Sequence, residues 1–198
     1  MQEYEIEFKN LLTKTEFYKL LHHFQLTGKD FFIQQNAYFD TRQFHLKDHT
    51  CALRIRRKHG KQVLTLKEPY KEGLLETHQL LNEQEAQTLR VEGKLPEGSV
   101  KKGIFPITQQ NPLVLLGELS TKRAHIPFKD GLLVLDVSTY LQCEDYEVEY
   151  EVSDFQKGES IFLDLLSQFN IPKRTTKNKI QRFFEEKMRI TEQNKKEL

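Results

Sequence analysis

The chain of 198 residues has no tryptophan, two methionines and two cysteines. Cys51 and Cys143 form no CxxC pair or ladder, which fits a reducing compartment better than a secreted one; the one disulfide available would join them to each other. Net charge is nearly absent, with 30 basic residues against 29 acidic ones, so no whole-molecule basic field marks a nucleic-acid binder. No apolar run approaches the ~18 residues of a membrane span, and the N-terminus lacks the apolar core of a secretion signal. The expectation is a cytoplasmic protein that engages neither membrane nor nucleic acid. Repeats and low-complexity tracts are missing too.

What the chain does have is placed charge. Thirty per cent of its residues are Asp, Glu, Lys or Arg. From the third residue, Glu3-Tyr4-Glu5-Ile6-Glu7-Phe8-Lys9 alternates charged and apolar, the period of a β-strand with two unlike faces. The pattern returns in Glu147-Val148-Glu149-Tyr150-Glu151, and basic counterparts stand in Arg54-Ile55-Arg56 and Leu66-Lys67. Stacked carboxylates repel, so a face carrying several looks at water or holds something cationic.

Strand-like stretches lie near 3–9, 34–40, 51–58, 62–68, 74–81, 114–126, 131–139 and 145–152, enough for a small barrel. Lys58-His59-Gly60-Lys61 and Lys129-Asp130-Gly131 read as hairpin turns. Thr13-Lys14-Thr15-Glu16 is a capping box ahead of Phe17, Leu20, Leu21 and Phe24, and Asn82-Glu83-Gln84-Glu85 starts a second helix through Leu89. A third helix carries Ile161, Phe162, Leu165, Leu166 and Phe169 up to Pro172; a fourth begins near residue 177 and frays into a polar tail over 191–198. The stretch 93–112, with Pro96, Gly98, Gly103, Pro106 and Pro112, reads as loop. Residues 1–190 read as a single domain of mainly β structure with flanking helices.

The helices need apolar surface to cover, and the sheet offers it only on the side opposite its charges. Leu53 and Ile55 oppose Arg54 and Arg56, Leu64 and Leu66 oppose Thr65 and Lys67, and Leu133, Leu135 and Val137 oppose Asp136 and Ser138. An open sheet would show the charged face to water; a closed barrel would make it a polar tunnel. Alternation alone does not choose.

The motifs in order resemble the CYTH superfamily, the triphosphate tunnel metalloenzymes. Glu5-Ile6-Glu7-Phe8-Lys9 matches the ExExK signature. Tyr38-Phe39-Asp40-Thr41, the paired arginines of Leu53-Arg54-Ile55-Arg56, Lys67, Glu76, Arg123, Asp136, Glu147-Val148-Glu149 and Lys179-Ile180-Gln181-Arg182 follow in the family's sequence. Two departures stand out. The late acidic strand has a third alternate glutamate, Glu151, and the terminal motif reads Lys177-Asn178-Lys179, with Asn where Ser is usual.

The resemblance implies an eight-stranded antiparallel closed barrel with helices outside and a charged interior that binds triphosphate and a divalent metal, Mg2+ or Mn2+. It implies Glu5, Glu7, Glu147, Glu149 and Glu151 as metal ligands, with Asp136 and Glu76 orienting the basic residues or holding a second ion. Lys9, Arg54, Arg56, Lys67, Arg123, Lys179 and Arg182 would bind the triphosphate, since Arg grips phosphate oxygens in pairs. Glu5, Glu7, Lys9 and Lys67 are the catalytic candidates. Taken singly, each strand reads more simply as a solvated sheet face, but a buried set of this size is costly unless paired or liganded.

Other motifs lead nowhere. Gly98-Ser-Val-Lys-Lys-Gly103 has P-loop spacing but continues Ile104-Phe105, and His45 and His49 lack the glutamate of a zinc helix. Hydrolysis of inorganic triphosphate to phosphate and diphosphate is the minimal reaction the matched residues serve. Adenylate cyclase of class IV, thiamine triphosphatase and a non-catalytic polyphosphate-binding module are the alternatives. The expected partner is a triphosphate-bearing small molecule, and the protein a monomer or homodimer.

Overall fold

The computed structural model describes residues 1–109 and 111–196. Its strands are β1 (Gln2–Leu12), β2 (Phe32–Thr41), β3 (Ala52–Lys58), β4 (Lys61–Tyr70), β5 (Gly73–Leu81), β6 (Leu113–Phe128), β7 (Gly131–Tyr140) and β8 (Cys143–Val152). They form a closed antiparallel barrel in the order β1-β5-β4-β3-β2-β6-β7-β8, so the sheet has no free edge. Every expected strand is present, and closure is the choice that alternation had left open. Backbone contacts divide the chain into two compact units, Met1–Ile6 with Gln34–Glu118, and Glu7–Ile33 with Leu119–Leu198.

In the first unit β3, β4 and β5 pair in register, with Arg54 opposite Thr65, Thr65 opposite His78 and Lys67 opposite Glu76. Their apolar faces meet helices α3 (Glu83–Glu92) and α4 (Ser99–Thr108) and the single turn α2 (His45–Asp48). Leu53, Ile55, Leu64, Leu66, Leu89, Val100 and Ile104 make the buried core there. The capping box at Asn82 starts α3, its side chain accepting from the Glu85 amide at 2.8 Å. Gly93 ends α3 in the left-handed region (φ +68°), and a Cβ on it would stand 2.0 Å from the Leu113 carbonyl oxygen.

In the second unit α1 (Lys14–His23) and α5 (Phe155–Gln168) cover β7 and β8, burying Leu133, Leu135, Val148 and Tyr150 with Phe17, Leu20, Phe162 and Leu165. Phe8 stacks on Phe162 with centroids 6.0 Å apart, so the apolar side of β1 faces the helices. The capping box at Thr13 starts α1 as expected. The segment after α5 is tied down by polar contacts. Buried Asn10 accepts from the Arg174 amide at 2.6 Å and donates to the Pro172 carbonyl at 3.1 Å; the Arg174 guanidinium grips both Glu16 oxygens at 2.8 and 2.9 Å. This clamp fixes where α6 (Lys179–Lys196) begins.

Three segments differ from the sequence reading. Residues 93–112 are not all loop: α4 lies within them despite Gly103 and Pro106. Burial of Val100 and Ile104 overrides the weak local propensity, and Gln79 of β5 receives the Val100 amide at 3.4 Å, a cap no local pattern reveals. The turn α2 is organised by Asp40, whose carboxylate accepts from the amides of Thr41, Leu46 and Lys47 at 2.7, 2.9 and 3.0 Å. The Tyr38-Phe39-Asp40-Thr41 motif therefore contributes a structural acid. Finally, α6 continues through Lys196 where a polar tail was expected from 191; residues 197 and 198 of that tail lie outside the described residues.

Two outcomes follow from these packings. Gly93→Ala should cost about 1–3 kcal/mol in urea unfolding, because strain at positive φ adds to a backbone clash. The Arg174 contact, helped by Thr13, holds the Glu16 carboxyl below its ordinary 4.5. Its stabilising effect is therefore complete above pH 4.5 and lost as pH falls through the lowered value. Thermal melts should show Glu16→Gln closing the gap to the native protein as pH drops below about 4.5.

Candidate active site

Most of the charged candidates lie on the strands, Lys179 and Arg182 come from α6, and each unit holds a cluster of paired acids and bases. In the first unit Lys67 Nζ lies 2.5 Å from Glu5 Oε2 and also pairs with Glu76. Burial opposes ionisation of Glu76, but Lys67 and Arg54 prevail and hold its carboxyl well below the usual range. Arg54 stands within the field of Tyr38, Glu76 and Glu5, and its Nε is buried without a hydrogen bond. Arg56 Nε donates to Asn36 Oδ1 at 3.0 Å, which fixes the plane of its guanidinium.

His78 belongs to this cluster and was not foreseen. Its Nδ1 lies 3.0 Å from the Thr65 hydroxyl, and its Nε2 lies 3.4 Å from Glu76 Oε2 and 3.7 Å from Glu3 Oε2. Burial lowers its pKa against the pull of Glu76 and Glu3. Extending the period of two by one step from Glu76 along β5 would have found it.

In the second unit Asp136, Glu147 and Glu149 converge on Lys179. Its Nζ lies 3.0 Å from Asp136 Oδ2, 3.3 Å from Glu147 Oε1 and 2.5 Å from Glu149 Oε1. Arg123 donates to both Asp136 oxygens at 2.8 and 2.6 Å and to Glu149 at 2.6 Å. Arg182 bridges Asp145 at 2.8 Å and Glu147 at 2.5 Å. Lys9 pairs with Glu7 at 2.7 Å.

These acids do not ionise alike. Burial opposes the charge on Glu149, yet Lys179 and Arg123 outweigh it and hold that carboxyl well below its ordinary value. Burial wins at Glu147, assisted by repulsion from Glu149 and Asp136, and pushes it up against the pull of Lys179 and Arg182. For Lys179 burial is overcome by the three carboxylates, so its ammonium is held above the usual lysine range.

Burial and pairing distinguish the residues of both ambiguous motifs. Glu147 and Glu149 are buried within the cluster, while Glu151 stands at its margin, 29% exposed and 3.9 Å from Arg123. Lys179 enters the cluster; Lys177 faces outward and pairs with Glu185. Asp145 is a further acid the sequence reading passed over, two residues before Glu147 on the same strand face. Cys51 and Cys143 are free thiols.

The acidic cluster has the donor chemistry of a hard divalent cation, since Mg2+ and Mn2+ take carboxylate oxygens. Glu147 Oε1 is buried and accepts no hydrogen bond, an oxygen with capacity for a cation. Among the described residues no three His, Cys, Asp or Glu side chains stand spread as an open metal cage. Here the oxygens close on an ammonium instead.

The model of the CYTH domain matches residues 3–184, and the chain belongs to the CYTH domain family. It is 52% identical over 188 residues to a Bacillus subtilis (strain 168) protein named "Putative triphosphatase YjbK", covering 94% of this chain and 97% of that one. A Bacillus halodurans structure described as a putative adenylate cyclase superposes with a TM-score of 0.88 at 41% identity, covering 92% of this chain and 98% of its own. A Hippeastrum protein, HpAC1, described as revealing a dominant triphosphatase activity, shares the fold with a TM-score of 0.74 at 24% identity over 93% of this chain and 96% of its own. No helix among the described residues is long and apolar enough to cross a membrane.

Because Asp136 is fully buried and Arg123 meets both its oxygens, Arg123→Met should destabilise the protein by about 3–5 kcal/mol in urea unfolding. Arg123→Lys, keeping the charge without the fork, should recover part of that loss.

Proposed function

We propose that this chain is a divalent-metal-dependent triphosphatase that hydrolyses inorganic triphosphate to phosphate and diphosphate. The observation that carries the reading is the convergence of Asp136, Glu147 and Glu149 with a buried, hydrogen-bond-free Glu147 oxygen. The 52% identical relative named "Putative triphosphatase YjbK" supports it. Glu147 and Glu149, with Glu5, Glu7 and Asp136 as further carboxylates, would hold Mg2+ or Mn2+; Glu151 would act at the margin, and Glu76 would orient the basic residues or hold a second ion. When bound, the metal supplies Lewis-acid polarisation of phosphate oxygens and a water of lowered pKa.

The rest falls to side chains. Arg54, Arg56 and Lys67 on one set of strands, and Lys9, Arg123, Lys179 and Arg182 on the other, bind triphosphate oxygens and offset their charge. Asn36 holds Arg56 by its Nε, so the guanidinium keeps one orientation towards a phosphate. Glu76 holds Lys67, and His78 with Thr65 holds Glu76. Water attacks the terminal phosphorus, the bond from that phosphorus to the bridging oxygen breaks, and diphosphate leaves with its added charge met by fixed cations. Arginines stay protonated throughout, so they position and stabilise rather than transfer protons.

The 41% identical structure described as a "putative adenylate cyclase" favours a second reading, ATP converted to cyclic AMP and diphosphate. The two make opposite forecasts. Tripolyphosphate hydrolysis should have a higher kcat/KM than ATP hydrolysis and should stop in EDTA; cyclic AMP as the main product from ATP would overturn the choice. Glu149→Gln should lower kcat/KM by about 10²–10³-fold, and Arg56→Ala should weaken triphosphate binding with Lys a poor replacement.

A further inference from the structure

We infer that Lys179 is an internal counter-ion that occupies the acidic cluster in place of the divalent cation and is displaced when metal loads, the inference resting on the proposed metal-dependent reading. The three carboxylates Asp136, Glu147 and Glu149 are matched by three bases, Lys179, Arg123 and Arg182. Asp145, bridged by Arg182, and Glu151, 3.9 Å from Arg123, stand beside them. A dication taking these oxygens would stand against the Lys179 ammonium that already faces all three acids, and two cations so close repel strongly in a low-dielectric site.

One of the three bases is built to leave. Arg123 is anchored through a fork to Asp136 and a further bond to Glu149. Arg182 is held by Asp145, Glu147 and the Lys177 carbonyl. Lys179 is instead a compact point charge on a flexible stem, and its partners are the three carboxylates themselves. Its Nζ stands at their point of convergence, and the 3.3 Å contact to Glu147 Oε1 makes no hydrogen bond. A cation that binds carboxylate oxygens at about 2.0–2.1 Å cannot share that position with an ammonium.

Lys179 is also the first residue of α6, and residues 172–178 before it form no regular helix or strand. Its side chain can thus shift without breaking a helical turn on its N-terminal side. The ammonium released by metal becomes available to phosphate oxygens, so metal loading and the phosphate role of Lys179 are linked. In linkage terms the apparent metal affinity is reduced by the free energy of expelling the lysine.

Calorimetric titration with Mn2+ alone, without phosphate, separates the possibilities. Lys179→Met should bind Mn2+ about tenfold or more tightly than the native protein, while Lys179→Arg, with a bulkier fixed cation, should bind it more weakly. Equal Mn2+ affinity in native and Lys179→Met proteins would overturn the displacement and leave the metal reading standing. Absence of Mn2+ binding in both, with tripolyphosphate hydrolysis intact in EDTA, would instead remove the metal reading on which the inference rests.

Loss of the ammonium leaves three buried carboxylates short of a partner, and where Lys179→Met does not fold without metal the native protein supplies the test. With lysine side chains isotope-labelled, the Lys179 ε-methylene resonance, assigned through Lys179→Arg, should move on Mg2+ addition and saturate with the calorimetric isotherm. A resonance that stays fixed while Mg2+ binds would overturn the inference.

Discussion

The cost of burying charge is the constraint from which the rest of this structure follows. Asp136, Glu147 and Glu149 have almost no exposure, and each stands only because Lys179, Arg123 or Arg182 meets it. Removing an anchored base strands a carboxylate, while an apolar replacement of the whole set would have been easier to fold. So many charged groups are tolerated inside the sheet because acids and bases are interleaved there.

The scaffold is arranged to make that burial tolerable. Each unit devotes one strand face to an apolar core beneath helices and the other to the charged cluster, so a single β-period separates the two environments. Closing the sheet removes the edges that would otherwise leave backbone groups unpaired. The Asn10–Arg174–Glu16 clamp fixes the segment ahead of α6, and Lys179 and Arg182, three residues apart, then both reach Glu147. Positioning thus runs from a capped helix through a buried amide to the site.

Different physical signals made different parts readable. The strands announced themselves because charged and apolar residues alternate over residues 3–9 of β1, 53–56 of β3 and 145–152 of β8. The capping boxes at Thr13 and Asn82 announced α1 and α3 because their hydrogen bonds close within four residues. Helix α4 escaped notice because its cap is Gln79 on β5 and its propensity is poor. His78 and Asp145 escaped because neither falls in a motif, although both continue the period of strands already recognised. Asp40 lay in a motif and yet serves a backbone turn.

The sequence by itself determined which residues share a strand face, since a period of two is a property of the extended backbone and needs no partner. It also determined the order of motifs that place the chain in its family. Only the tertiary structure decided that Glu147 and Glu149, more than Glu151, are buried with the bases, and that Lys179 rather than Lys177 enters. Alternate glutamates on one strand are equivalent until neighbouring strands and a helix terminus set their depth, and two lysines flanking an asparagine are equivalent until a helix begins at one of them. Burial and pairing are properties of neighbours distant in the chain, and they turn a row of like charges into distinct groups with different ionisation and different work.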